Sequence, residues 1–309
     1  KMINNNIVSV DTNFVRPGLD ASHLIIENSY AAFVDAGTNY SVPYLLEALK
    51  NNNLDVADVK YVFVTHVHLD HAGGAGKLLQ YLPNAKLVIH PRGAKHLHDP
   101  TKLIASAVGV YGKNIFFDLF GDIKPIPLNK MILVEDRAII KMGNRSFTCF
   151  YTEGHARHHY CIFDKTSKSV FAGDSFGVSY RELDTNQGEF IFPSTSPTQF
   201  DPKEAHKAID RILSYNPNII YLTHFSHIES IERLAMDLHC SIDVFVKIAM
   251  ENRNSTQRTT LMRMAMEQYL VESLLLHGCD FTEKEISKML AVDIKVNTMG
   301  LEYWLDSNK

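Results

Sequence analysis

In the stretch THVHLDHAGG, Thr65 to Gly74, three histidines and an aspartate fall within six residues, directly after the apolar run VKYVFV. Imidazoles are costly to bury without partners, and four ionisable groups at one strand end disturb one another unless something organises them. Metal binding is the chemistry that suits this pattern. Alternate residues of an extended chain share a face, so His66 and His68 project to one side, while Asp70 and His71 fall in the turn that follows. Spaced in this way, the four side chains suit two adjacent ions rather than one. Gly73 and Gly74 allow close backbone approach around them.

Four residues do not complete two coordination shells, so further ligands are expected at other strand ends. His155 follows SFTCFYTEG, Asp174 ends KSVFAGD, and His224 follows NIIYLT. Each stands at the C-terminal end of an apolar β-run, where open α/β folds place their sites. The full set is five imidazoles and two carboxylates without a thiolate. That set suits zinc first, with iron and manganese as alternatives.

The elements that must position these residues alternate between short β-rich runs and helical segments. SHLIIEN and YAAFVDAG read as paired strands joined at Asn28 and Ser29, and SVPYLLEALKNNN as a helix. VKYVFVTH reads as a buried central strand, GGAGKLLQYLPN as a short helix and AKLVIHP as a strand. Residues 91 to 120 read as helical, interrupted at Gly109 and Gly112. A second set of strands is expected in RAIIKM, RSFTCFYTEGH, HYCIFDK and KSVFAGDS.

The irregular stretch Phe176 to Asp201, including PSTSPTQFDP, reads either as a lid over the site or as a packed surface loop. In the lid reading, Tyr180 and Arg181 are candidate substrate contacts. PKEAHKAIDRILSYNP reads as an amphipathic helix. From about Ser230 only helices are expected, one of them opening at Thr282 and Glu285 with the spacing of a capping box. The expected organisation is an α/β catalytic domain over residues 1–228 and a helical extension over 229–309.

Composition narrows the function classes. The 309 residues carry a formal net charge of -4, which argues against general affinity for nucleic-acid backbones or anionic membranes. Cys149, Cys161, Cys240 and Cys279 lack CxxC spacing and read as buried free thiols. The N-terminal stretch KMINNNIVSVDTNF lacks an apolar signal core, and no run approaches a membrane span, so a reducing cytoplasm is the expected location. Fifteen histidines is about double ordinary usage, and their clustering matters more than the count.

Taken together, HVHLDH (His66, His68, Asp70, His71), GH (His155), GD (Asp174) and TH (His224) resemble the metallo-β-lactamase-fold superfamily, in particular its glyoxalase-II-like dinuclear metallohydrolases. FVDAG, with Asp35, matches the acidic turn usually found upstream. The resemblance implies a four-layer αββα sandwich plus C-terminal helices. It further implies that His66, His68 and His155 bind one metal, that Asp70, His71 and His224 bind the second, and that Asp174 bridges them. Two divalent ions so placed lower the pKa of a shared water toward neutrality, and the resulting hydroxide attacks an electrophilic carbonyl or phosphorus. Asp70 and Asp174 are the expected catalytic carboxylates; Asp35 reads either as a support for a ligand imidazole or as a turn carboxylate satisfying backbone amides.

The fold does not choose a substrate. The expected reaction is hydrolysis of a small ester, thioester or lactone; the alternatives are a phosphodiesterase and a diiron redox or oxygen-binding protein. His68 stands where flavodiiron proteins usually carry an acid, and His71 where many true β-lactamases lack histidine. THFS resembles a ribonuclease Z motif, but no basic arm accompanies it. The C-terminal helices resemble extensions that cover the site mouth or form a homodimer. His158 and His159 read as strand or turn positions, with substrate contact by one of them as the alternative, and His227 as a supporting position; His90, His96 and His98 look like a ligand cluster, but a helical surface accounts for His96 and His98; His23, His206, His239 and His277 read as surface or satisfied core. The methionines of LMRMAMEQ read as helix-packing core, and Trp304 as a packing anchor.

Overall fold

The computed structural model describes residues 6–195 and 197–307. The first five residues of the N-terminal stretch, Ser196 of the irregular loop and the last two residues lie outside that description. Two compact units are present. The first consists of Lys1–Tyr151, His158–Gly173 and Pro217–His227, and the second of Thr152–Arg157, Asp174–Asn216 and Ile228–Lys309.

The first half of the chain gives β1 (Ile7–Asp11), β2 (Ala21–Glu27), β3 (Tyr30–Val34), α1 (Val42–Asn51), β4 (Val59–Phe63), α2 (Leu69–Ala72), α3 (Ala75–Tyr81), β5 (Lys86–Ile89), α4 (Pro91–His98), α5 (Thr101–Tyr111), α6 (Lys113–Phe120) and β6 (Met131–Leu133). Next come β7 (Ala138–Met142), β8 (Arg145–Tyr151), β9 (Tyr160–Asp164) and β10 (Ser169–Gly173). The remainder is α7 (Pro202–Leu213), β11 (Ile219–Leu222), β12 (Ser226–Ile228), α8 (Ile231–Asn252), α9 (Arg258–Leu276), α10 (Glu283–Met289) and α11 (Ala291–Ser307).

Strands β1 to β6 form one mixed sheet in chain order, antiparallel from β1 to β3 and parallel from β3 to β6. The other sheet runs β12-β11-β10-β9-β8-β7, with β10 and β11 parallel and β7 to β10 antiparallel. The expected α/β architecture of two sheets with C-terminal helices is therefore present.

Side-chain alternation explains how the sheets pack. On β3, Ala31 and Phe33 turn to a core shared with Leu45, Leu49 and Leu78 of the helices, whereas Ala32 and Val34 turn to a core shared with the second sheet. In that second core Phe63 meets Phe147 edge-on, with ring centres 5.3 Å apart. Burying each such ring contributes roughly 1.5–3 kcal/mol. Arg145 crosses between the sheets: its guanidinium pairs with the buried Asp164 at 2.8 Å and donates to the Ile26 carbonyl at 3.0 Å.

Two local expectations change. Gly109 lies inside α5 with nothing within 4 Å of where a Cβ would stand, so the helix runs through it. The actual break is Gly112, whose φ of +84° a helix cannot hold. Cys149 and Cys161 are buried as expected, but Cys240 is exposed. Likewise Met262 and Met266 are core, while Met264 is 62% exposed.

In the second unit the irregular stretch is packed. Phe176, Phe192 and Phe200 are buried, Tyr180 donates to Asp293 at 2.9 Å, and Thr195 N–H donates to the Asn297 side chain at 2.7 Å. Arg181 is turned back on the Ser179 carbonyl and Asp184. These contacts fit the packed-loop reading and tie up the two side chains considered as substrate contacts. The capping box at Thr282 and Glu285 is formed. Among the described residues no single helix is long and apolar enough to cross a membrane.

Candidate metal centre

In the first unit the ligand candidates gather where parallel strands end. β4 stops at Phe63, and the chain turns through Thr65, His66 and His68 into the single helical turn α2. His68 has extended backbone angles (φ −62°, ψ 147°) and its carbonyl accepts from the N–H of Ala72 at 2.8 Å, which starts the turn. A Cβ on Gly74 would stand 2.4 Å from the Thr38 carbonyl and 2.5 Å from that of Ala36, so only glycine lets this turn pack on the loop after β3. His224 arrives independently, two residues beyond the end of β11.

Five donors of the first unit then converge, as one pair and one group of three. His66 Nε2 and His68 Nδ1 are 2.9 Å apart. Asp70 Oδ2 lies 3.7 Å from His71 Nε2 and 3.4 Å from His224 Nε2, and one ligand atom from each of these three residues falls within 4.8 Å of the others. His66 is fully buried among rings, its centre 4.1 Å from that of His71 and 4.9 Å from that of His159.

The second unit carries its own pair. His155 Nε2 lies 3.3 Å from Asp174 Oδ2, both side chains being nearly buried. His155 Nδ1 donates to the Ser194 carbonyl at 3.0 Å, and the Ser194 hydroxyl donates to Asp174 Oδ2 at 3.0 Å.

Supporting hydrogen bonds set which ring nitrogen faces the site. His71 Nδ1 donates to Asp35 Oδ2 at 2.7 Å, His224 Nδ1 to the Leu19 carbonyl at 2.9 Å and His66 Nδ1 to the Thr65 hydroxyl at 3.1 Å. With His155 on Ser194, four imidazoles therefore hold their proton on Nδ1 and leave the Nε2 lone pair available, as metal-ligating histidines do. Two donors about 2.0–2.1 Å from a tetrahedral ion stand about 3.3 Å apart, close to the separations found within each unit. The donor set and its spacing fit divalent cations.

Asp35 does both jobs considered for it. Besides His71 it accepts from the Thr65 N–H at 2.8 Å, the Thr65 hydroxyl at 3.0 Å and the Thr223 hydroxyl at 2.7 Å. Its φ of +58° is one that Asp, Asn and Gly tolerate.

Asp20 adds a carboxyl that no sequence motif marks. It is fully buried, and burial pushes its carboxyl up to about 7 against the opposing pull of His224 and His71. Oδ2 accepts from Thr12, while Oδ1 has no hydrogen-bond partner among the described residues. The only signal for it was an acid three residues past Pro17, which loops commonly carry.

The remaining histidines divide as follows. His23 is satisfied core, bonded to Ser9 and to the Leu222 carbonyl, and burial lowers it to about 4. His90 caps α4 by accepting from Arg92 N–H, and His98 meets the Ile126 carbonyl. His159 is buried behind His66, whereas His158 lies 6.1 Å ring-to-ring from His68 and 6.3 Å from His96. His227 contacts Ser226 and Tyr221.

Comparison with known proteins agrees with this geometry. A family model described as the metallo-beta-lactamase superfamily matches residues 16–224. A metallo-beta-lactamase fold-containing protein, ST1585, from Sulfurisphaera tokodaii is 26% identical over 211 residues, covering 67% of this chain and 73% of that protein. A hydroxyacylglutathione hydrolase from Francisella tularensis subsp. novicida is 29% identical over 171 residues; the match spans 53% of each chain, about half the length of that relative. Among solved structures, a metallo-beta-lactamase family protein from Thermus thermophilus superposes with a TM-score of 0.65 at 16% identity, covering 98% of this chain and 94% of the other. The archaeal ST1585 structure gives 0.63 at 22% identity, covering 96% and 98%. With the match spanning more than half of its residues and the motif histidines gathered at strand ends, the chain belongs to the metallo-beta-lactamase superfamily.

Proposed function

We propose that this protein is a dinuclear metal-dependent hydrolase acting on a small ester, thioester or lactone. The observation that carries the reading is the uniform presetting of imidazoles: His66, His71, His155 and His224 each commit Nδ1 to an oxygen acceptor and so reserve Nε2. In this reading His66, His68 and His155 hold one cation, Asp70, His71 and His224 the other, and Asp174 bridges the two. The donors are all nitrogen and oxygen, which suits zinc, with iron or manganese as the alternatives. When bound, such cations lower the pKa of a shared water toward neutrality and polarise the oxygen that gains charge.

The chain's own residues do the positioning. Asp35 fixes the ring of His71, and the Leu19 carbonyl fixes that of His224. The Ser194 hydroxyl holds one oxygen of Asp174. Asp70, whose side chain is 25% exposed, is the ligand carboxylate that solvent reaches, and we assign it the added task of orienting the attacking water. Relatives named for hydroxyacylglutathione support an acyl substrate over a phosphodiester. The partner is then a small molecule, and the exposed Met236, Met264 and Leu276 of the C-terminal helices support a homodimer surface that light scattering would test.

The test is elemental analysis of purified protein with a screen of chromogenic thioesters, esters, lactones and bis-phosphodiesters, with and without a chelator. Two equivalents of metal and chelator-sensitive acyl hydrolysis are expected. Asp174→Ala should lose at least one equivalent and nearly all turnover. If that variant keeps both metals and full activity, the bridging role is wrong. Iron with a visible band that responds to oxygen, and no hydrolysis, would replace this reading with a redox one.

A further inference from the structure

Away from the proposed centre, α7 and α8 each carry a histidine followed four residues later by an aspartate: HKAID over residues 206–210 and HCSID over 239–243. The two helices cross in antiparallel register at these residues. His206 faces Asp243 and His239 faces Asp210, so each imidazole meets the carboxylate of the opposite helix. His206 Nε2 is 3.2 Å from Asp243 Oδ1, and His239 Nε2 is 3.3 Å from Asp210 Oδ1. Between them His206 Nδ1 and His239 Nδ1 are 2.6 Å apart.

The ring geometry shows what those two nitrogens present to each other. The planes differ by 6° and the centres are 4.9 Å apart, about the nitrogen separation plus the two ring radii. The nitrogens therefore lie near the line joining the ring centres, and the rings meet head to head. His206 Nε2 is hydrogen-bonded to Asp243 and His239 Nε2 is paired with Asp210, and a proton on each Nε2 suits both carboxylates. Both Nδ1 lone pairs then point at one another, an arrangement that repels unless a cation lies between them.

We propose that His206 and His239 form a separate site for a divalent transition ion of the zinc class, which clips α7 to α8 through the two Nδ1 atoms. A carboxylate behind a ligating imidazole orients the ring, and here that pairing occurs twice with opposite polarity. A shared proton needs only one ring in this tautomer; two held alike suit an ion with two nitrogen ligands. Nitrogens at about 2.0–2.1 Å from a tetrahedral ion stand about 3.3 Å apart, so binding parts the rings by about 0.7 Å. Both side chains are 28% exposed, which gives the ion access and the rings room to move. Water completes the shell.

The experiment titrates zinc into the holoprotein with its resident metals already loaded, comparing wild type with His206→Ala and His239→Ala by calorimetry. One extra equivalent is expected in wild type, at least 100-fold weaker in either variant, with turnover unchanged. Asp210→Asn and Asp243→Asn should each weaken it by about 10- to 100-fold. Nitrogen-15 spectra should show both Nδ1 signals moving on zinc addition. No extra equivalent in wild type, or the same equivalent in His239→Ala, would overturn the site. So would a spectrum in which one ring is doubly protonated and insensitive to zinc, since the pair would then be sharing a proton. Because the difference between wild type and variants counts only this site, the result is independent of whether the dinuclear reading holds.

Discussion

Replacing Asp35 by asparagine tests the logic of the centre at its support. Asp35 accepts from the Thr65 N–H at 2.8 Å, from the Thr223 hydroxyl at 2.7 Å and from His71 Nδ1 at 2.7 Å. Asparagine fits the same space and tolerates the φ of +58°, so the backbone has no reason to move. Its amide must keep its oxygen toward the Thr65 N–H, which cannot rotate away. The NH2 then faces Thr223 and His71. The threonine hydroxyl turns and accepts; the imidazole has no such freedom and must shift its proton to Nε2, removing the lone pair meant for the cation. Losing a hydrogen bond to a charged acceptor costs about 1.5–3 kcal/mol of folding stability. Losing a supporting partner of a metal-bound histidine costs about 10- to 100-fold in affinity, or about 1.4–2.7 kcal/mol. The assay is chelator competition for the more weakly held metal, with nitrogen-15 spectra reading the His71 tautomer. Thr223→Val serves as control, because it removes a donor to Asp35 without asking His71 to change. Unchanged metal affinity with His71 still protonated on Nδ1 would refute the argument.

Other expectations follow from single contacts. Arg145→Met leaves Asp164 buried without its guanidinium and should cost about 3–5 kcal/mol in urea unfolding; a loss below about 1 kcal/mol would mean that water reaches the pair. His23 has its pKa lowered from 6.5 to about 4, so its contribution to stability is fully present above pH 6.5 and is lost as pH falls through 4. That window corresponds to roughly 3 kcal/mol, which His23→Gln should largely abolish in chemical denaturation at pH 4 and 7. Ending the chain after residue 228 removes α8, which shares a cavity wall with Ala208 and Ile209 of α7. The shortened protein should bind a hydrophobic dye and aggregate, and a soluble, equally active monomer would contradict this.

The legible part of the site was the part written close together. His66, His68, Asp70 and His71 are near neighbours, and a strand ending in polar residues is visible wherever it occurs, which is why His155, Asp174 and His224 stand out as candidates in the sequence. What holds them was not legible. Thr65 and Thr223 are ordinary residues 158 positions apart, and nothing in either stretch says that both hydroxyls reach one carboxylate. The loop after Asp174 could not be resolved between lid and packing because Asn297, which satisfies Thr195, lies 102 residues away. Gly109 was misread for another reason: an exposed glycine costs a helix only about 1 kcal/mol, too little to end α5. His206 and His239 read as surface or satisfied core in the sequence because a histidine four positions before an aspartate is unremarkable on one helix; the meaning arises only when two such helices cross.

Asp35 also has a mechanical side. It follows β3 and grips Thr65 beyond β4 of the first sheet and Thr223 beyond β11 of the second, so one carboxylate fastens the two sheets at the end where the histidines stand. The clasp of the sandwich and the seat of His71 are the same atoms. With a second cation held by His71 as proposed, its occupancy and the breathing of that seam would be linked in both directions: loading the ion would slow the opening of the sheets, and whatever prises the sheets apart would loosen the ion. Amide exchange at the ends of β3, β4 and β11 becomes a gauge of metal loading in which no substrate need be known.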